Sequence, residues 1–222
     1  MLLAIDTATS WTGLALHDGE AIVAEWGWRA RNTQTMELAP AVMQLLGQAA
    51  AAATDLQAIA IALGPGSYTG LRIGLGFAKG IALANQIPLV GIPTLDILAA
   101  GLGELPGSLL LVVEAGRTRV CVAMYRWQKR FGWRTEQKPE NLTWEEVLTK
   151  LTTDESGPVY FAGEIAPGPA RLIRGRSRNF HLLAAAAQPR RAGFLAELGW
   201  QRLRKNQTDN PATLTPIYLR DV

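Results

Sequence analysis

Between positions 64 and 85, glycine or alanine returns at every fourth residue: Gly66, Gly70, Gly74, Ala78 and Ala82 form one row, and Gly76, Gly80 and Ala84 a second. Residues four apart share one side of a helix, so the spacing predicts a helix with two bare ridges running to about Asn85. Each interior glycine weakens a helix by about 0.8–1 kcal/mol relative to alanine, and three of them by roughly 2–3 kcal/mol. Close contact with another backbone must offset that loss. The remaining positions, Leu71, Ile73, Leu75, Phe77, Ile81 and Leu83, are apolar too. A helix with scarcely any polar side is either enclosed within its own fold or covered by another chain. The helical stretch before it, Met36 to Ala53, has the same character through Leu38, Ala39, Val42, Met43, Leu45 and Leu46. In a lobe this small both helices cannot be wholly internal, which favours a subunit interface; the competing arrangement packs both on their own sheet. The interface expected is Thr35, Leu38, Val42, Met43, Leu46, Leu71, Gly74, Phe77, Ala78 and Ile81. Tryptophan at Gly74 or Ala78 is then expected to break the assembly and leave the monomer folded.

Around this segment the chain reads as a small α/β lobe. Leu2 to Asp6, Gly13 to His17 and Ala21 to Trp28 are three strands, with Asp18-Gly19 turning the last pair. The Met36–Ala53 helix follows, with Asn32, Thr33 or Thr35 as its cap and Pro40 close enough to its start to be tolerated. Gln57 to Leu63 is an almost wholly apolar strand, Leu89 to Ile92 another, and a further helix starts at Thr94. The order β-β-β-α-β-α-β-α is that of a ribonuclease-H-like lobe. After the Gly/Pro-rich joint Gly101–Gly107 the order starts again. Strands are expected at Leu109 to Glu114, Arg119 to Trp127 and Phe131 to Glu136, then a helix at Thr143 to Leu151 with a Thr143/Glu146 capping box. Strands at Val159 to Ala162 and Phe180 to Leu183, a weak segment at Ala170 to Arg174 and a helix from Arg191 to Lys205 complete the second copy. Ile5-Asp6 and Val113-Glu114 stand 108 positions apart in this faint repeat. The expected domains are therefore 1–100 and 101–222.

Composition narrows the class. With 48% hydrophobic and 18% charged residues among 222, the chain should fold. Its start carries no basic leader, and no stretch approaches the roughly 18–20 apolar residues of a membrane span, so a cytoplasmic protein is expected. Cys121, between Val120 and Val122, is expected to be an inert buried thiol. Residues 1–100 carry four basic and seven acidic side chains and residues 101–222 eighteen and twelve. Arg171, Arg174, Arg176 and Arg178 dominate that second half; they form either a solvated surface or a face for a phosphate-rich partner.

Chemistry has few places to sit. Each first strand ends in an acid and small residues, Asp6-Thr7-Ala8-Thr9 and Glu114-Ala115-Gly116. In two-lobed proteins of the actin and hexokinase class such turns face each other across a nucleotide cleft, so Asp6, Thr7, Thr9, Glu114 and Gly116 are the candidate nucleotide contacts. A strand-end acid in a turn is often only a local cap. The loop Gly64–Gly70 lacks the lysine-serine pair of a triphosphatase phosphate loop. His17 and His181 are far apart, no metal set is expected, and Ser67 has no neighbouring base, so no catalytic residue is assigned.

Met1-Leu-Leu-Ala-Ile-Asp-Thr-Ala-Thr9, Leu63-Gly-Pro-Gly-Ser-Tyr-Thr-Gly-Leu-Arg-Ile-Gly74, Ala78-Lys-Gly-Ile-Ala82, Val90-Gly-Ile-Pro-Thr-Leu95 and Pro216-Ile-Tyr-Leu-Arg220 resemble the TsaB (YeaZ) family. The resemblance is dense over residues 1–100 and looser beyond. It implies the actin-like ATPase (ASKHA) fold of two ribonuclease-H-like lobes. It also implies a non-catalytic scaffold or activator in making threonylcarbamoyladenosine at adenosine 37 of transfer RNA. The implied partners are the catalytic paralogue TsaD, met through first-lobe helices, and the ATPase TsaE. A homodimer through the same face is a further option; transfer RNA is met through the complex. No cofactor of the chain's own is implied, with ATP and magnesium used by the complex. Two departures stand out: Glu114-Ala-Gly116 then Arg117 where the family often has Asp-Ala-Arg, and Gln34-Thr35 where it often has a histidine. The rival expectation is a self-sufficient small kinase or peptidase-like enzyme of the same fold.

Overall fold

The computed structural model describes residues 1–30, 33–116, 118–135, 137–154 and 157–219. It divides into two compact units, one of residues 1–97 and 191–218, the other of residues 98–190 and 219–222.

In the first unit β1 (Leu2–Asp6), β2 (Trp11–His17) and β3 (Ile22–Arg29) form an antiparallel meander. The turn before β3 closes because the Asp18 carboxylate accepts from the Glu20 and Ala21 amides, each at 2.8 Å. Helix α1 (Gln34–Gln48) leads to β4 (Ala58–Ala62), α2 (Tyr68–Asn85) to β5 (Leu89–Ile92), and both strands lie parallel to β1. The sheet order is β3-β2-β1-β4-β5. Alternation along the strands divides its side chains between two faces. Leu3, Ile5, Leu14, Leu16, Ile59 and Ile61 pack with α1 and α2. Leu2, Ala4, Ala15, Ala58, Ala60 and Val90 form the other face.

That other face is covered by the helix expected to complete the second lobe. Helix α6 (Ala192–Leu203) turns Ala192, Leu195 and Ala196 onto β1, β2 and β4 and belongs to the first unit. Its small residues explain the seat. A Cβ on Gly199 would lie 2.5 Å from that of Ala60, and one on Gly13 3.1 Å from that of Ala192. The following segment stays with this unit: the Gly91 amide donates to the Asp209 carboxylate at 2.8 Å and the Ile217 amide to the Leu63 carbonyl at 2.7 Å. The first domain is therefore discontinuous, and the expected boundaries of 1–100 and 101–222 hold near the joint but not at the C-terminal side.

In the second unit, entered through α3 (Thr94–Ala100), β6 (Ser108–Gly116), β7 (Arg119–Gln128) and β8 (Gly132–Arg134) are antiparallel neighbours. A short β9 (Glu140–Thr143), not expected from the sequence, also pairs with β7. Helix α4 (Trp144–Asp154), β10 (Val159–Gly163), α5 (Pro167–Arg176) and β11 (Phe180–Leu182) follow, giving the order β11-β10-β6-β7-β8. Each unit thus repeats one plan, three antiparallel strands and then two parallel ones, as in ribonuclease-H-like lobes. The capping box before α4 is present: the Thr143 amide donates to Glu146 Oε2 at 2.7 Å and the Glu146 amide to Thr143 Oγ1 at 3.3 Å. Cys121 is buried in β7.

Candidate functional site

Helices α1 and α2 lie on the same face of the first sheet and share one hydrophobic cluster. Helix α1 turns Leu38, Val42, Leu45 and Leu46 inward. Helix α2 begins where the Ser67 hydroxyl accepts from the Gly70 amide at 3.2 Å, and it turns Gly70, Leu71, Gly74, Leu75, Ala78 and Ala82 inward. Its first small-residue row has an internal use. A Cβ on Gly66 would overlap the Ala8 carbonyl, one on Gly70 the Thr7 carbonyl, and one on Gly74 the Thr7 hydroxyl. The Thr7 hydroxyl donates to the Gly70 carbonyl at 2.7 Å, tying the β1–β2 turn to the helix. These glycines let the helix approach its own chain, not another.

The second row is different. A Cβ on Gly76 or Gly80 would meet nothing within 4 Å. Around them Leu83 is 65% exposed, Ala84 is exposed, and Ile73 and Phe77 are half-buried. Helix α1 shows the same outward chemistry: Met36 is 71% and Met43 66% exposed, with Ala39, Pro40 and Gly47 also on the surface. Its outward side carries no charge. Glu37, at its edge, is half-buried and accepts from the Trp28 indole at 2.8 Å. A hydrogen bond from Thr33, then that from Trp28, holds the Glu37 carboxyl below its ordinary range. Next to α1 a groove lined by Trp26, Trp28, Met36 and Pro40, and also by Glu25, Glu37 and Gln44, leads toward β3. On α2 the cations flanking the strip are Arg72 and the half-buried Lys79; Arg72 lies over the Tyr68 ring at 3.8 Å and donates to the Tyr218 hydroxyl at 3.0 Å.

The expected interface residues therefore divide. Thr35 and Met43 are exposed, and Phe77 and Ile81 are half-buried. Leu38, Val42, Leu46, Leu71, Gly74 and Ala78 are enclosed by their own unit, so they support the surface from beneath and cannot touch a partner. Tryptophan at Gly74 or Ala78 would disrupt the folded unit itself. Met36, Pro40, Gly76, Gly80 and Leu83, absent from the expected interface, are exposed residues on this side; the second small-residue row was the signal that marked it.

Of the candidate nucleotide residues, those of the first unit hydrogen-bond locally, whereas Glu114 and Gly116 are exposed. Asp6 is buried and accepts from the Ala8 amide at 2.9 Å, and Thr9 accepts from the Trp11 amide at 3.2 Å. In the second unit the Glu114 amide donates to the Glu164 carboxylate at 3.0 Å, and Gly116 turns with φ +76°. Arg117 and Asn32 lie outside the described residues. Among the described residues no group of three or more His, Cys, Asp or Glu side chains is placed to hold a metal, and no helix is long and apolar enough to cross a membrane.

Comparison with known proteins matches this geometry to named relatives. Residues 29–133 match the family model "TsaD: tRNA N6-adenosine threonylcarbamoyltransferase". The tRNA threonylcarbamoyladenosine biosynthesis protein TsaB of Bacillus subtilis is 29% identical over 99% of this chain and 93% of its own. An uncharacterized protein of Mycobacterium tuberculosis is 30% identical over 99% of this chain and 91% of its own. The solved structure of YeaZ from Pseudomonas aeruginosa superposes with a TM-score of 0.80 at 26% identity, covering 98% of this chain and 99% of that one. With full-length likeness in sequence and in fold, the chain belongs to the TsaB (YeaZ) family of transfer RNA threonylcarbamoyladenosine biosynthesis.

Proposed function

We propose that this chain is the non-catalytic docking subunit of a threonylcarbamoyl-transfer complex acting on adenosine 37 of transfer RNA. The outward faces of α1 and α2 receive the catalytic TsaD homologue, and the resulting pair supports the TsaE ATPase. ATP and magnesium serve the complex. The observation that carries this reading is the apolar surface of Met36, Met43, Gly76, Gly80 and Leu83 on two adjacent helices, with Arg72 and Lys79 beside it on α2. Such a strip costs solvation in a monomer and is favourable once covered, at about 25 cal/mol per Å² of apolar surface. The helices are about 22 and 27 Å long at 1.5 Å per residue, a footprint suited to a specific interface. Methionines conform to a partner's contours, and the bare glycines admit a helix at close range. A second copy of this chain could use the same strip when TsaD is scarce.

Reconstitution tests this reading. The isolated chain is expected neither to modify transfer RNA nor to hydrolyse ATP. Activity should appear when the TsaD and TsaE homologues and the threonylcarbamoyl-adenylate supplier are added, and should be lost when this chain alone is omitted. Modification or ATP turnover by the chain by itself would overturn it.

A further inference from the structure

We infer that one end of the second unit is a contact surface for the phosphate backbone of RNA. Strand pairing defines that end. Phe180 pairs with Val159, Val159 with Ser108, Leu109 with Tyr125, and Arg126 with Arg134, so β11, β10 and β6 begin there and β7 ends there. Helix α4 leads into β10 and α5 into β11, which returns the C-terminal ends of both helices to the same edge. Both helices contribute to one hydrophobic cluster, through Val147, Leu148 and Leu151 of α4 and Ile173 of α5, and so cover the same face of the sheet.

Cations collect along this edge. On the α5 side Arg174, Arg176 and Arg178 are exposed, with Arg171 one turn earlier. None of the four engages a carboxylate among the described residues. Residues 165–191 contain six arginines and no acid. On the β7–β8 side Arg126, Arg134, Lys138 and Lys150, with Glu140, are among the residues lining a cavity of about 190 Å³. Lys150 is paired with Glu140 at 2.6 Å, and Arg126 donates to the Ser108 hydroxyl at 3.0 Å. Five strands spaced by about 4.8 Å place the two groups on the order of 19 Å apart, enough to cross several phosphates. The α5 group is entirely arginine, whose planar fork matches phosphate oxygens in pairs. The α5-side arginines, which engage no carboxylate among the described residues, fit a polyanion better than the mixed surface of a folded protein. The choice of RNA rests on the reading above, in which the chain serves a reaction on transfer RNA.

The test is fluorescence anisotropy of labelled transfer RNA titrated with the full chain at several sodium chloride concentrations. Three sets of neutral variants are compared: Arg174→Gln with Arg176→Gln and Arg178→Gln; Arg134→Gln with Lys138→Gln; and, on the first unit, Arg29→Gln with Arg204→Gln and Lys205→Gln. The α5 triple should weaken binding about tenfold or more at low salt and lower the salt slope by about 0.7–0.9 per lost contact. The Arg134/Lys138 pair should act in the same direction, and the first-unit set should change neither quantity. No binding by the unaltered chain at low salt, or equal effects from all three sets, would overturn the inference. So would unchanged RNA affinity in the α5 triple, even if that triple lost an acidic protein partner. Because the readout is binding, the inference can fail while reconstituted modification succeeds, or stand while it does not.

Discussion

Gly74 and Gly76 sit two positions apart on one helix and do opposite things. Gly74 faces the Thr7 hydroxyl, where a methyl group has no room; Gly76 faces open space. Gly74→Ala should therefore destabilise the chain by about 1–3 kcal/mol through overpacking. Gly76→Ala should stabilise it by about 0.8–1 kcal/mol, the ordinary gain in helix propensity. Thermal and urea melts of the two variants decide the matter, and a loss of stability at Gly76 would show that its face is not open. Residue-scale electrostatics give a second expectation. Bonds from Thr33 and Trp28 depress the Glu37 carboxyl, so their stabilisation is present above the unfolded carboxylate range and is lost as pH falls through the depressed folded value. Protection of the amides in the first turn of α1, taken relative to intrinsic exchange, should fall below about pH 4, and Glu37→Gln should remove most of that acid dependence.

The elements were largely legible because hydrophobic period and turn chemistry agreed. Leu2–Asp6 and Leu89–Ile92 occur as expected, and α2 ends at Asn85. Three departures have physical causes. Helix α1 stops at Gln48, not Ala53, because Ala50 takes a left-handed φ of +50° and the chain turns back to bury Leu56. Strand β9 escaped notice because Glu140-Asn-Leu-Thr143 is mostly polar and is held by pairing to β7. Helix α5 read as weak because Pro167, Gly168, Pro169 and Gly175 dilute its period, yet prolines at the first turn are tolerated and Ile173 anchors it. The pair of apolar helices was legible in the sequence, but which small-residue row of α2 points outward was not. A row of small residues marks close approach without saying whose backbone approaches, and only the sheet's position separates the Gly66–Gly70–Gly74 ridge from the Gly76–Gly80 ridge.

At the scale of the whole chain, α6 is the element whose place could not be read from order. Its alanine and glycine face fits the alanine-rich side of the first sheet, from which 94 residues of sequence separate it.

 Those residues, 98–191, separate Ile97 from the first residue of α6, Ala192, while the helix itself packs directly on β1, β2 and β4. A chain of residues 1–100 alone should therefore fail to give a sharp cooperative melt, because one face of its sheet is left bare. The same segment joined to residues 191–218 by a flexible linker should melt cooperatively; circular dichroism on both chains checks this, and equal cooperativity would show that α6 is dispensable. The proposed function stands or falls with whether the outward sides of α1 and α2 receive the catalytic partner. Its most direct test is calorimetric titration of the TsaD homologue from the same genome with the unaltered chain and with Met43→Asp/Leu83→Asp. A stoichiometric complex is expected for the unaltered chain and at least about a hundredfold weaker binding for the double variant, roughly 2.7 kcal/mol, with an unchanged urea midpoint. Binding of the double variant as tight as that of the unaltered chain would contradict it.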